Sequence, residues 1–200
     1  TIASKASLTV PAKARAAKVI SFSGNCSVAN DRSAPMLALK TVRGAAAIAA
    51  GWFYTGGPRP YGYLGLGEVF VFVFFGLVAT AGTTYAAIES VTTLSLVMGA
   101  AVGSLACALL VVNNLRDRAT DARAGKRTLA VRLGRRGVLV EYIALLALAF
   151  VVPAGLAACH HWAALPLVTA PLAIARVRAL VGATTGPEFN ACLAATAKLM

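Results

Sequence analysis

An amide and two carboxylates recur at a spacing of four residues in the second half of the chain. Asn113, Asp117 and Asp121 stand at positions i, i+4 and i+8, directly after an apolar stretch. On a helix that continues out of a membrane, this spacing places the three side chains on one face. Magnesium in proteins is typically bound by one or two carboxylates together with the phosphates of a substrate. The pattern therefore predicts Asp117 and Asp121 as Mg²⁺ ligands at a membrane surface.

Basic residues surround this acidic pair. Guanidinium and ammonium groups bind phosphate oxygens through charge-assisted hydrogen bonds, so they could take the phosphate charge that a metal leaves uncompensated. The implied ligand is a diphosphate presented at a membrane. The basic residues in question are Arg116, Arg123, Lys126 and Arg127.

The composition is that of a membrane protein. Hydrophobic residues make up 58% of the 200 positions and charged residues only 13%, and the mean hydropathy is +0.75. A helix needs roughly 20 apolar residues to cross about 30 Å of hydrocarbon. Three uncharged runs approach or reach that length, and a fourth, shorter run needs its flanking residues. We therefore predict an all-α, multi-pass transmembrane helix bundle with spans at Val69–Ile88, Val91–Val112, Tyr142–Cys159 and Trp162–Ala175.

Lysine and arginine are distributed unevenly between the connections of these spans. The connections Gly56–Leu64, Asn114–Arg136 and Arg176–Glu188 carry one, eight and two such residues, whereas Glu89–Ser90 and His160–His161 carry none. By the positive-inside rule, the basic connections face the cytoplasm together. The net charge of +12 is thus explained first by topology. No nucleic-acid partner is expected, because no recognition helix or aromatic-interleaved basic surface is visible.

Residues 1–43 differ in composition from the rest of the chain. They contain seven Lys or Arg residues and a single acid, Asp31, without an apolar run of spanning length. We predict a poorly ordered basic head over residues 1–43 and a membrane domain over residues 44–200. An altered amino end is favoured for this head, and a transit-peptide-like segment is the alternative.

Two further residues could contribute to a site. Arg59 lies in a Gly- and Pro-rich loop that faces the same compartment as Asp117, so it could add a phosphate contact. Glu68 stands at the head of an apolar span, where an immersed charge costs about 3 kcal/mol. A role in a cavity is therefore favoured over a position at the membrane edge.

Two stretches of the chain carry a resemblance to a known family. Gly51–Glu68 reads GWFYTGGPRPYGYLGLGE, and Asn113–Gly134 reads NNLRDRATDARAGKRTLAVRLG. With these stretches, the segment from Ala49 to Leu199 resembles the later part of a UbiA-type polyprenyltransferase. The similarity is to the branch that prenylates 1,4-dihydroxy-2-naphthoate in menaquinone biosynthesis.

The resemblance implies an enzyme of the bacterial cell membrane whose helices surround a central cavity. Such an enzyme transfers a polyprenyl group from polyprenyl diphosphate to dihydroxynaphthoate with loss of carbon dioxide, giving demethylmenaquinone. Asp117 and Asp121 match the family's second acidic motif as catalytic metal ligands for Mg²⁺. Asn113, Lys126 and Arg127 match neighbours that hold the diphosphate, and Arg116 is a further candidate.

The chain departs from the family pattern near its beginning. Members carry an earlier Asn-Asp-x-x-Asp motif, whereas here Asn30-Asp31 is followed by Ala34 in place of the second acid. About three helices are expected to be missing, so we expect a fragment with poor or no activity. A non-catalytic membrane scaffold and a small transporter are the alternatives. The sequence predicts neither the prenyl chain length nor the oligomeric state.

Overall fold

The computed structural model describes residues 61–200, together with Ile48, Trp52 and Gly56. A 3₁₀ turn at Tyr61–Leu64 is followed by the first long helix, α1. Two longer helices, a second 3₁₀ segment and two shorter helices complete the described part, in which no strand occurs. The helices are α1 (Gly67–Ile88), α2 (Thr93–Arg123), α3 (Leu129–Leu156), α4 (Ala170–Gly182) and α5 (Gly186–Ala197), with the 3₁₀ segment His161–Thr169 before α4.

The four predicted spans are confirmed. Helices α1, α2 and α3 are long and apolar enough to cross a membrane, and so is the continuous segment His161–Gly182. The second helix packs against α1, α3 and α5 and so lies at the centre of the group. The predicted all-α, multi-pass membrane fold is therefore correct. The predictions about residues 1–43 and Arg59 concern residues outside the described part.

The basic stretch between the second and third apolar spans contains the end of one helix and the beginning of the next. As expected for a helix that continues out of the membrane, α2 extends to Arg123. Helix α3 begins at Leu129 and has a kink at Gly134, where φ is 67° and ψ is 178°. Charged residues such as Arg and Lys are good helix formers, so the end of an apolar run does not end a helix. The hydroxyl of Thr128 accepts a hydrogen bond from the N–H of Val131 at 3.4 Å and caps α3. The basic segment is consequently mostly helical.

Helices α1 and α2 approach each other closely at glycines. A Cβ atom on Gly76 would lie 2.6 Å from both Cα of Gly103 and the carbonyl oxygen of Gly99. Gly99 and Gly103 form the small-xxx-small pattern that lets membrane helices pack backbone to backbone. Around Gly76, residues Phe72–Val78 wind as a π-helix. This contact holds the middle of α1 against the first half of α2.

The buried core joins α2, α3, α4 and α5. Val112, Val138 and Leu180 are fully buried and contribute one residue each from α2, α3 and α4. The hydroxyl groups of Tyr142 on α3 and Thr196 on α5 form a buried hydrogen bond of 2.8 Å. The core therefore fixes the position of α5 relative to the end of α2.

Candidate functional site

The polar end of α2 carries the predicted acidic face. Asn113, Asp117 and Asp121 all lie within this helix, so their predicted spacing along one face is confirmed. The two carboxylates differ in exposure, because the side chain of Asp117 is 36% exposed and that of Asp121 only 12%. Each carboxylate faces a cationic side chain of its own.

Arg116 binds both oxygens of the Asp117 carboxylate. Its Nε donates to Oδ1 and its Nη2 donates to Oδ2, each at 2.8 Å. The same Nη2 donates to Oδ1 of Asn113 at 2.8 Å, and Nη1 donates to Oδ1 of Asn190 at 2.9 Å. The guanidinium is thus held by one carboxylate and two amides, one of which comes from α5.

Lys126 binds the second carboxylate. Its Nζ lies 3.2 Å from Oδ1 of Asp121 and 4.9 Å from the centre of the Tyr63 ring. Gly125, with φ of 75°, adopts the left-handed conformation that turns the chain back here, and the N–H of Lys126 donates to the Asp121 carbonyl at 2.9 Å. The contact with Asp121 raises the pKa of Lys126 above its ordinary value, so the ammonium stays charged.

Hydrogen bonds join the segment before α1 to the connection between α2 and α3 and to the first turn of α3. The N–H of Arg127 donates to the carbonyl of Tyr63 at 2.9 Å, and Nη2 of Arg132 donates to the carbonyl of Leu64 at 2.8 Å. At Gly65, with φ of 78°, a Cβ atom would lie 2.7 Å from the carbonyl oxygen of Arg127, so only glycine fits. Arg127 is exposed, and its contact with Tyr63 is made by its backbone N–H.

Glu68 is buried below the acidic face. Its residue is 6% exposed, and its Oε1 accepts a hydrogen bond from Nδ2 of Asn114 at 2.7 Å. Its Oε2 is buried and has no hydrogen-bond partner among the described residues, and its backbone carbonyl accepts from the thiol of Cys107 at 3.0 Å. The structure therefore places Glu68 inside the protein, next to the polar end of α2.

Sequence reasoning did not identify three residues that complete this arrangement. Asn114 binds Glu68, and Asn190 binds Arg116. Arg135 donates through Nη2 to the carbonyls of Val181 at 2.9 Å and Ala183 at 2.7 Å, which ties the end of α4 to α3. The adjacent Asn113-Asn114 pair was a usable signal for Asn114. No local pattern marks Asn190, because its partner lies on a distant part of the chain.

An apolar cavity opens beside the same helix face. It has a volume of about 470 Å³ and lies between α1, α2 and the end of the chain. Asn113 is the polar residue of its lining, and the others are apolar. The remaining lining residues are Val71, Phe75, Ala106, Leu109, Leu110, Leu193 and Met200. A long apolar ligand with a charged head would fit this combination.

The donor set suits a hard divalent cation that is shared with a substrate phosphate. Within the described residues, no group of three His, Cys, Asp or Glu side chains forms a closed metal site. Asp117 and Asp121 instead supply two carboxylates one helical turn apart, an arrangement that suits a divalent cation bound jointly with phosphates. Each carboxylate presently carries a cationic partner from the chain. Asp117 and Asp121 can therefore hold such a metal once Arg116 and Lys126 release them.

The chain is similar to known proteins of one family. The model of the UbiA prenyltransferase family matches residues 35–195. The chain is 51% identical over 131 residues to 1,4-dihydroxy-2-naphthoate octaprenyltransferase of Mycobacterium tuberculosis (strain ATCC 25618 / H37Rv), covering 66% of this chain and 45% of the relative. Identity to the protein of the same name from Mycobacterium leprae (strain TN) is 44% over 168 residues, covering 84% and 56%.

A third relative of the same name, from Escherichia coli (strain K12), is 39% identical over 140 residues, covering 68% of this chain and 46% of the relative. The chain spans about half the length of the curated relatives it matches. No solved structure matches.

Proposed function

The chain belongs to the UbiA prenyltransferase family, and we propose that it serves the transfer of a polyprenyl group from polyprenyl diphosphate to 1,4-dihydroxy-2-naphthoate. The mycobacterial relatives carry this activity in their names, as octaprenyltransferases. The observation that supports the proposal best is that Asn113, which binds Arg116 next to the acidic pair, also lines an apolar cavity. That combination suits a ligand with a diphosphate head and a hydrocarbon tail.

The head of the ligand would lie at the polar end of α2. Arg116 and Lys126 are the cations nearest to the two carboxylates. Asn113, which accepts a hydrogen bond from Arg116, also lines the cavity. Arg127 is a further exposed cation in the same connection, and Arg59 remains a candidate from the sequence. A magnesium ion held by Asp117 and Asp121 would supply Lewis-acid stabilisation of the diphosphate as it leaves.

The residues of this chain have two tasks in the proposed reaction. Arg116 and Lys126 bind the diphosphate, which takes the electron pair of the breaking carbon–oxygen bond. The apolar lining around Phe75 excludes water from the allylic cation. The ring carbon that bears the carboxylate then forms the new carbon–carbon bond, and the bond to the carboxylate breaks. Carbon dioxide leaves, and the electron pair returns to the ring, giving the quinol form of demethylmenaquinone.

Substitution of the two carboxylates tests this proposal. The chain, reconstituted in lipid with Mg²⁺, prenyl diphosphate and dihydroxynaphthoate, is assayed for the prenylated product and for retention of the prenyl diphosphate. In Asp117→Asn and Asp121→Asn, we expect retention of the prenyl diphosphate to fall, because an anionic ligand is lost with little change in size. Any turnover by the original chain should fall with it, on the order of a hundredfold or more.

Glu89→Gln is the matched control. Glu89 is exposed and lies at the opposite end of α1, at the C-cap. This change removes the same charge and leaves the polar end of α2 untouched, so it should alter neither quantity. Metal-independent retention of prenyl diphosphate at the original level in the Asp117→Asn, Asp121→Asn double variant would refute the assignment.

A further inference from the structure

Both proposed metal ligands are already occupied by cations of the chain. Asp117 is bound by Arg116 and Asp121 by Lys126, so neither carboxylate presents a free pair of oxygens. A divalent cation that arrives alone must displace them. A diphosphate that arrives alone meets cations that are engaged elsewhere. The two ion pairs therefore oppose the separate binding of either ligand.

We propose that Arg116 and Lys126 are exchangeable counter-ions, which neutralise Asp117 and Asp121 until a metal and a diphosphate bind and then transfer to the diphosphate when the metal takes their place. This inference rests on the proposed function, because it concerns the same diphosphate and metal. It adds that the metal and the diphosphate bind cooperatively, and that neutral side chains keep the two cations in place during the exchange.

The contacts of Arg116 allow such an exchange without loss of its position. The edge formed by Nε and Nη2 faces the carboxylate of Asp117, and this planar edge also matches two phosphate oxygens. The contacts from Nη2 to Asn113 and from Nη1 to Asn190 do not depend on Asp117. When the carboxylate turns to a metal, the two amides still hold the guanidinium. Asn113 and Asn190 are thus positioning residues for Arg116.

A neutral side chain, that of Tyr63, also holds Lys126 in position. The ring of Tyr63 lies 4.9 Å from Nζ and attracts the ammonium through its π face. The Tyr63 carbonyl accepts the N–H of Arg127, which keeps the ring beside this connection. An aromatic ring does not compete with phosphate for hydrogen bonds, so Lys126 can donate to a diphosphate while it stays over Tyr63. Tyr63 is therefore a positioning residue for Lys126.

Exchangeable counter-ions should affect the two ligands in opposite directions. A variant that lacks one of the cations should bind a divalent metal more tightly when no diphosphate is present, because one carboxylate is released. The same variant should bind diphosphate more weakly in the presence of metal. Opposite signs for the two ligands distinguish exchangeable counter-ions from residues that simply support the local fold, since a damaged fold would weaken both.

The first measurement uses Mn²⁺ alone, followed by the electron paramagnetic resonance signal of the free ion, with the chain in lipid nanodiscs. Arg116→Gln and Lys126→Gln should each tighten Mn²⁺ binding by about two- to fivefold, the usual strength of a partly exposed ion pair. Arg118→Gln is the matched control. Arg118 is exposed on the same helix, and no hydrogen bond or ion pair of its side chain is seen among the described residues. It reports the effect of losing one positive charge nearby.

The second measurement uses radiolabelled inorganic diphosphate at saturating Mn²⁺. Arg116→Gln and Lys126→Gln should each lower its affinity by about tenfold or more, as expected for the loss of a charged hydrogen bond. Tyr63→Leu should lower it by a smaller factor of about two to five, the usual strength of a cation–π contact. Tyr63→Phe, which keeps the ring, should match the original chain. Circular dichroism verifies that each variant is folded.

The outcomes separate this inference from the proposed function. If the original chain binds neither Mn²⁺ nor inorganic diphosphate, both proposals fail. If it binds both, but Arg116→Gln and Lys126→Gln leave Mn²⁺ affinity at the level of Arg118→Gln or below it, the proposed site stands and the exchange is refuted. Tighter Mn²⁺ binding together with weaker diphosphate binding in both variants supports the exchange.

Discussion

Asn114 donates a hydrogen bond of 2.7 Å to the buried carboxylate of Glu68, which joins the first turn of α1 to the polar end of α2. The two residues are 46 positions apart in the chain. Glu68 lies only five residues after Tyr63, whose ring contacts Lys126. This single bond thus connects the helix that lines the apolar cavity with the part of α2 that carries the proposed metal ligands.

Removal of Asn114, which leaves the Glu68 carboxylate in place, should destabilise the fold more than replacement of that carboxylate by a neutral amide. In Asn114→Leu, Glu68 stays buried without a partner, and we expect a loss of about 1–3 kcal/mol. In Glu68→Gln, the side-chain oxygen can still accept from Asn114, so the loss should be smaller. Thermal unfolding in detergent, followed by circular dichroism, measures both. Equal losses in the two variants would contradict this order.

The glycine contact between α1 and α2 should tolerate no added methyl group. In Gly76→Ala the new Cβ would lie 2.6 Å from backbone atoms of Gly99 and Gly103, so the helices must separate. We expect a loss of about 1–3 kcal/mol, as for other overpacked cores. Gly82→Ala is the control on the same helix, because nothing lies within 4 Å of its added Cβ. Similar unfolding temperatures for the two variants would show that α1 does not pack as described.

Features that repeat along one helix could be predicted from the sequence. The spans follow from uncharged runs, and the shared face of Asn113, Asp117 and Asp121 follows from the helical period. The sequence did not predict where α3 begins, because hydropathy marks where a membrane ends, whereas a cap such as Thr128 marks where a helix begins. These two boundaries need not coincide.

Contacts between helices could not be predicted in the same way. Arg116 binds Asn190 across 74 positions, and Asn114 binds Glu68 across 46. Which residues meet depends on how the helices pack, and here the glycine contact and the buried core decide it. The burial of Glu68 agrees with its place at the head of an apolar span, but its partner was not identifiable. The ion pairs on Asp117 and Asp121 also required the structure, since several basic residues stood nearby.

The orientation of the chain in the membrane can be tested with its own cysteines. Ala124 is exposed in the connection between α2 and α3, and Cys159 is exposed beyond the opposite end of α3. If the basic connections face the cytoplasm, Ala124→Cys should react with an impermeant thiol reagent only after the membrane is opened. Cys159 should react in intact cells.

This labelling experiment contains its own controls. Cys26 is replaced by serine, whereas the buried Cys107 and Cys192 should remain unlabelled. Labelling of Ala124→Cys from outside, with protection of Cys159, would reverse the orientation. It would also place the proposed diphosphate site on the external face.

The beginning of α5 should loosen in acid because a carboxylate caps it. Oε2 of Glu188 accepts hydrogen bonds from the N–H groups of Thr184 at 2.6 Å and Thr185 at 2.9 Å. These bonds lower the pKa of Glu188 below its ordinary value of 4.5. Because the pKa of Glu188 is lower in the folded state than in the unfolded state, the ionised carboxylate stabilises the fold fully above pH 4.5. This stabilisation is lost as the pH falls from 4.5 through the folded-state pKa.

Hydrogen exchange, corrected for intrinsic rates, should therefore show faster opening of the first turn of α5 below pH 4.5. Glu188→Gln should remove this dependence on pH. The cap of α2 is the internal control. There the hydroxyl groups of Thr92 and Ser95 each accept a hydrogen bond from the N–H of the other residue, and neither side chain titrates. Since α5 carries Asn190, the partner of Arg116, inorganic diphosphate binding should weaken over the same pH range in the original chain more than in Glu188→Gln. Equal acid sensitivity at both caps would mean that Glu188 does not hold the start of α5.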